Sequence, residues 1–498
     1  MNGVVMDEST ATAERVVQRE RSLVARTEDH ALTAVPTSER RGGWAFRMNG
    51  VGLVTTLLQI SIGGMVTLIT GVGWGLVAGV VVVLFGGTLG WLVGHVAYVS
   101  GTSSTVTTRF YGLGVRGSAI ASLIFAFMIL GFLALENAIL YYGTLFMLGW
   151  EATVGNAIAI YGAFTIAWIL LAMFGMTIVQ RTSVILLPAF LVLVLVVAGM
   201  AVASSDVSLG EALSRGPVVP GFDGGWQRFT AALSIMAGSV GALALVNADF
   251  ARYARSTKDV GILAFAGAIM MDIVLVALGS VVLGAGGPLV AEYLGSRPEV
   301  AGSQGGVTIA DKVAWMATNN AGAYFIVLAG ILGFALMYAA QVKTQVINTY
   351  SGSLALSNLF DGLLGRSAGR FAMVVVGNVI GLLMVAGNIL GLIHSYLGAL
   401  GITTTAVAGV IIADFFIVRR GRAASEGRVE AVNWAGVSSV TASVVVGLWL
   451  TSQGVTQLGF LVSLVLVLVL YPAMRLYVVR EGVGTRFMST HETLEEAG

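Results

Sequence analysis

Twelve long apolar stretches dominate the chain, near 48–70, 72–98, 117–148, 157–179, 183–203, 228–251, 259–285, 321–350, 370–391, 393–418, 433–452 and 456–478. A helix that crosses a bilayer needs about 20 mostly apolar residues, so the pattern predicts an all-α integral membrane protein with twelve transmembrane helices. Residues 1–45 form a polar, mixed-charge segment without an apolar core. They read as a mostly disordered cytoplasmic tail rather than a cleavable signal peptide. The loops at 204–227 and 286–320 carry Gly, Pro and mixed charge, with room for short surface helices but no separate domain.

Composition narrows the class. Of 498 residues, 56% are hydrophobic and 11% charged, with a mean hydropathy of +0.88. A soluble protein carries about 25% charge, so too little polar surface is present to cover a water-soluble globule. The absence of cysteine excludes disulfides, thiolate metal sites and a cysteine nucleophile. Four histidines (His30, His95, His394, His491) lack metal-ligand spacing, and no basic patch with interleaved aromatics points to nucleic acid. No metal or other cofactor is expected, and no nucleophile–base pair suggests an enzyme.

Lys and Arg accumulate in cytoplasmic loops. With the N-terminus inside, inner segments hold Arg40, Arg41, Arg47, Arg109, Arg116, Arg252, Arg255, Lys258, Arg419, Arg420 and others. Outer loops hold only Arg215, Arg228, Arg297 and Lys312. The expectation is a multi-pass protein of the cytoplasmic membrane with both termini cytoplasmic.

Ionisable residues inside a bilayer are costly and mark functional candidates. Asp249 and Asp414 lie at the ends of spans six and ten beside Arg252 and Arg419, where structural charge pairs are expected. Asp272 lies inside span seven, open between a bond to a neighbouring helix and a functional role. Glu136 in span three and Lys343 in span eight sit deeper and are expected to take part in transport. Gln341, Gln345 and Asn348 share one face of span eight, with Lys343 roughly opposite. Phe132 and Glu136 stand one turn apart, and an aromatic face beside a carboxylate suits a flat heterocycle with N–H donors. Glycine and hydroxyl residues cluster in span one (Asn49-Gly50-Val51-Gly52-Leu53-Val54-Thr55-Thr56) and span six (Gly238-Ser239-Val240-Gly241). Such clusters fit either helices broken at corresponding positions of two repeats or close glycine-mediated packing.

Several stretches resemble the nucleobase–cation symporters of the purine/cytosine permease type, nearest in motif to the bacterial cytosine permeases. They are Ala34–Gly42 (AVPTSERRG), Arg109-Phe110 with Gly114–Ser118, Asn247–Tyr253 (NADFARY), Gly409–Phe415 (GVIIADF), Arg419-Arg420 and Val432-Asn433-Trp434. The resemblance runs over roughly 33–475. It implies two inverted five-helix repeats, here 46–203 and 204–418 with the outer loops, then two further helices in 419–480 and a cytoplasmic tail, 481–498. It also implies alternating access around a midplane site, small heterocyclic substrates such as cytosine, purines, uracil, allantoin, hydantoins or vitamin precursors, and coupling to Na⁺ or H⁺ without covalent chemistry.

Carried over by position, the resemblance places the substrate-stacking aromatic at Phe132, a substrate-binding amide position at Glu136 and the helix-six segment at Gly238, Ser239 and Val240. Gln345 joins this set from the polar stripe. The family's sodium site falls near Gly52 and Thr56 of helix one and at Lys343 and Thr344 of helix eight. An ammonium has no lone pair to offer a cation, so Lys343 argues against sodium and for a proton as the coupling ion. The expected function is import of a nucleobase or similar heterocycle. Alternatives are an amine-bearing or cationic vitamin precursor or an allantoin-like compound, and, from another class, a non-transporting membrane sensor. The sequence leaves the oligomeric state open.

Overall fold

The computed structural model describes residues 34–173, 176–219, 221–302, 304–365, 369–424 and 428–489. The parts of the predicted tails at 1–33 and 490–498 lie outside the described residues. Helix one is made of two pieces, α1 (Asn49–Val54) and α2 (Leu57–Thr70), separated by Thr55 and Thr56. Thr56 explains the restart: its backbone is extended and its hydroxyl accepts from the Gln59 N–H at 3.1 Å, capping α2. Thr55 closes the end of α1 by donating its hydroxyl to the Gly52 carbonyl at 3.1 Å.

The chain continues through α3 (Val72–Ser100), the short α4 (Ser104–Phe110), α5 (Ser118–Leu148), α6 (Val154–Met173), α7 (Met176–Ala203) and α8 (Gly225–Ala251). Next, α9 (Thr257–Ile269) and α10 (Leu275–Ser296) form one long helix interrupted by a π turn at Met270–Val274. An outer-loop helix α11 (Ile309–Asn319), capped reciprocally by Thr308 and Asp311, leads to α12 (Ala321–Ala329). The long α13 (Ile331–Leu364) follows, then α14 (Arg370–Ala386), α15 (Ile393–Ile412), α16 (Trp434–Ser452) and α17 (Gly459–Ala473). Among the described residues, nine helices are long and apolar enough to cross a membrane, and the shorter apolar helices Leu57–Thr70 and Phe371–Ala386 fall where spans one and nine are predicted. The protein is all-α and membrane-embedded.

Two sequence expectations are corrected, and one alternative left open is decided. Span eight does not start at 321: Gly330, at φ +54°, turns the chain between α12 and α13, so the span begins at Ile331. Span six is not broken, because α8 is continuous through Gly238 and Gly241. Those glycines serve packing instead, since a Cβ at Gly238 would strike the backbone of Leu397 and one at Gly241 the hydroxyl of Thr404, both on α15. Residues 34–45 are docked rather than free: Val35 N–H donates to the Gly101 carbonyl at 2.9 Å and Arg41 N–H to the Tyr253 carbonyl at 2.6 Å. The chain past 481 also pairs, as strand β2 (Phe487–Ser489) lies antiparallel to β1 (Arg428–Glu430).

The helices assemble into two bodies. In one, α2, α3, α8 and the α9–α10 helix pack against one another, with α1 laid on α9. In the other, α13 packs along α5 and both hold α14, with α6 alongside. Contacts between the bodies are sparse, whereas α7 reaches both and α15 packs on α8 beside α16 and α17. The first body is held at backbone distance by glycines. A Cβ at Gly279 would stand 2.7 Å from the Gly64 nitrogen and closer still to the Ile60 carbonyl oxygen. Small residues allow this approach in membranes, where packing replaces the hydrophobic drive. Gly279→Val is therefore expected to cost about 3 kcal/mol through overpacking, read as a lower melting temperature in detergent. An unchanged melting temperature would contradict the close α2–α10 contact.

Candidate functional site

At the seam between the two bodies lies a small, partly open cavity of about 60 Å³. Its polar wall is assembled from Thr56 and Gln59 of helix one, Glu136 of α5, Ser239 of α8, and Thr344 and Asn348 of α13. Its apolar wall comes from Phe132, Ile129 and Ile347 on one side and Leu53, Val54, Ala242, Leu243, Val246 and Met271 on the other. Every element here comes from a different part of the chain. The unwound turn of helix one is what lets Thr56 and Gln59 reach the same space.

The aromatic wall is positioned by Tyr396 of α15. Its ring meets Phe132 edge to face at 5.9 Å, and its hydroxyl donates to the Met128 carbonyl at 2.6 Å. Glu136 and Phe132 stand one turn apart on α5, with Glu136 2% and Phe132 8% exposed. Asn348 Nδ2 donates to Glu136 Oε2 at 3.3 Å and to Gln345 Oε1 at 3.2 Å. Gln345 Nε2 in turn donates to Asn137 Oδ1 at 2.6 Å and to the Leu133 carbonyl at 3.0 Å. Trp168 of α6 completes the chain, donating from Nε1 to Asn137 Oδ1 at 3.0 Å. The Ser239 hydroxyl is buried without a hydrogen-bond partner among the described residues.

The structure brings together Phe132, Glu136, Ser239, Thr56 and Thr344. It separates others from this set. Gln345 does not line the cavity, because its amide is engaged with α5 and with Asn348. Gly238 backs onto α15, and Val240 fills the space left by Gly86 on α3. Gly52 is buried outside the cavity, its carbonyl accepting from Thr55. The backbone of Lys343 belongs to α13, next to the cavity-lining Thr344, while its side chain lies outside the described residues. Asn348, Gln59 and Met271 were not singled out as site residues from the sequence. Asn348 carries the polar-stripe signal, but which residue of the stripe meets the cavity is decided by how α13 turns toward α5.

Of the two expected charge pairs, Arg419 Nε stands 3.0 Å from Asp414 Oδ2, and Tyr471 donates to Asp414 Oδ1 at 2.7 Å. The Asp249 carboxylate is used differently: it accepts from the Ser104 N–H at 2.7 Å, capping the free N-terminus of α4. Arg252 Nε donates to the Asp249 backbone carbonyl at 3.1 Å. A second, larger cavity of about 620 Å³ opens where α5 ends, between Trp150, Glu151, Glu299 and Trp315.

A profile for permeases for cytosine/purines, uracil, thiamine and allantoin matches residues 34–471. The hydantoin permease of Microbacterium maritypicum is 24% identical over 332 residues, which are 64% of this chain and 62% of that protein. Mhp1, a nucleobase-cation-symport-1 family transporter in a closed conformation with bromovinylhydantoin bound, superposes with a TM-score of 0.65. The identity is 21%, covering 90% of this chain and 95% of that one. The inward-facing conformation of Mhp1 gives 0.64 at 20% identity, over 89% and 92% of the two chains. A Na⁺-coupled sialic acid symporter gives 0.57 at 14% identity, over 91% and 95%. Continuous coverage of nearly the whole helical region by one profile makes the assignment: the chain belongs to the family of membrane permeases for cytosine/purines, uracil, thiamine and allantoin, and it is a transporter rather than an enzyme.

Proposed function

We propose that the protein imports a nucleobase or a similar flat heterocycle across the cytoplasmic membrane by alternating access, coupled to protons in preference to sodium. The observation that carries this reading is the cavity at the seam, where the Phe132 ring faces a polar set of Glu136, Asn348 and Ser239. A flat ring stacks on the aromatic while its N–H and C=O edge meets acceptor and donor atoms. A void of about 150 Å³ is the size that holds benzene, so the 60 Å³ present here must widen before a base fits. Separation of the two sparsely connected bodies supplies that widening and opens the site to one side at a time.

The carboxylate of Glu136 also favours a second reading, in which the substrate carries an amine or a positive charge. For coupling, support comes from position 343, where an ammonium replaces a hydroxyl of the family's sodium site. The basic loops support placing both termini on the cytoplasmic side.

In proteoliposomes, radiolabelled cytosine is expected to accumulate under an inward pH gradient and to ignore a Na⁺ gradient. Accumulation driven by Na⁺ would overturn the proton reading, and no uptake under either gradient would redirect the substrate search to purines and amine-bearing vitamin precursors. Glu136→Gln is expected to change the preference between cytosine and a competing base about tenfold, roughly 1.4 kcal/mol; unchanged competition profiles would remove Glu136 from substrate recognition. Lys343→Thr restores the hydroxyl, and uptake is expected to gain Na⁺ stimulation. Unaltered ion dependence in that variant would take Lys343 out of coupling.

A further inference from the structure

Asp272 is not among the residues lining the cavity, yet its setting is unusual. It lies inside the π turn at Met270–Val274, is 3% exposed, and its Oδ2 is sealed with no hydrogen-bond partner. No ion pair among the described residues involves it. The elements packed on this turn are α9 and α10 of its own helix, α3 and α1, and none brings a charge to it. Helix α1 has no titratable residue. The titratable side chains of α3 are His95 and Tyr98, sixteen and nineteen residues beyond Gly79, where an added Cβ would strike the Asp272 carbonyl oxygen; sixteen residues of helix are about 24 Å. On α9, Lys258 and Asp259 lie at the far end, thirteen or more residues away, with Asp259 paired to Arg47 at 2.7 Å. On α10, Glu292 is twenty residues away, about 30 Å along the helix.

An isolated carboxylate in an apolar interior is costly when ionised and tolerable when neutral. The position is also next to the cavity and the break in helix one. Met271, one residue before, lines the cavity, and the turn packs against α1, the first half of the broken helix. π turns give up regular hydrogen bonding and occur frequently at functional sites.

We propose that Asp272 is a proton-binding site and that the transporter closes around its cargo only when this carboxyl carries a proton. The proton arrives from water when the seam is open on the outer side. It remains on the carboxyl oxygen through the closed conformation and leaves to water when the inner side opens. The proposal rests on proton coupling and names the group that performs it, separate from the residues that touch substrate. The sign follows directly: alkaline conditions strip the proton, disfavour the closed form and slow exchange, while an asparagine stands in permanently for the neutral acid.

The test compares wild type with Asp272→Asn in proteoliposomes, using radiolabelled cytosine. Wild type is expected to accumulate cytosine under a pH gradient and to slow in counterflow exchange when both compartments are made alkaline. The variant is expected to lose accumulation at least tenfold while its exchange persists and no longer slows at alkaline pH. Gradient-driven accumulation that survives in the variant would overturn the role of Asp272 and leave proton coupling standing. Wild-type transport indifferent to pH would overturn the coupling reading and this proposal together. A readout that needs no substrate is the infrared difference spectrum of wild type minus Asp272→Asn in liposomes. It is expected to contain the C=O stretch of a neutral carboxylic acid that disappears at alkaline pH, and absence of that band would overturn the proposal. Should Asp272→Asn fail to fold, Asp272→Glu, which keeps the acid, is expected to retain coupling with a displaced pH profile; coupling lost in that variant at every pH would count against the proposal.

Discussion

In hydrocarbon, every backbone N–H and C=O must find its partner within the protein, and irregular backbone survives only where it is buried or borders a polar cavity. Helix one gives up its regular ladder at Thr55 and Thr56, and the fold accommodates that loss by placing the turn against the cavity and capping both ends with threonine hydroxyls. The same constraint explains why the long helix of α9 and α10 changes to a π turn instead of unwinding: the extra residue is absorbed while the backbone remains inside a helical cylinder. Both irregularities lie in one body of the transporter, beside the space where that body meets the other.

That body is packed at backbone distance in its own interior. Gly63, Gly64 and Gly279 join α2 to α10, and Gly79 brings α3 onto the π turn, each at a distance that excludes a side chain. The seam is the opposite, with few residues touching across it. Packed interiors resist deformation, so motion concentrates where packing is thin. The boundary between the two bodies is where the proposed change of access would act.

The sequence made the membrane class readable because bilayer thickness imposes a length on each apolar run. It made Phe132 and Glu136 readable because one helical turn separates them and an ionisable group in such a run is rare. Other features were hidden for physical reasons. Gly52 and Gly238 sit in similar glycine- and hydroxyl-rich stretches, yet one precedes a chain break and the other seats a neighbouring helix; the partner decides, and the partner is distant in sequence. The stripe of Gln341, Gln345 and Asn348 is visible as a helical face, but only the rotation of α13 against α5 assigns Asn348 to the cavity and Gln345 to the contact behind it. No residue signature announces a π turn. The trace it leaves is Asp272, an acid without an evident reason to be there.

The row of side chains from Trp168 to Asn348 has a directional logic. An indole nitrogen can only donate, so Trp168 obliges Asn137 to present its oxygen. That oxygen draws the nitrogen of Gln345, which leaves the Gln345 oxygen to draw the nitrogen of Asn348. Asn348 is thereby left with its carbonyl oxygen to offer inside the cavity. An amide is symmetric enough to face either way, and here the choice is held from three sides: the Trp168 indole orients Asn137, while the Leu133 carbonyl and the Glu136 carboxylate, which only accept, hold Gln345 and Asn348 in the same sense. The donor–acceptor polarity of the cavity edge is thus set behind its lining, by a carbonyl, a carboxylate and an indole that anchor the row at separate points.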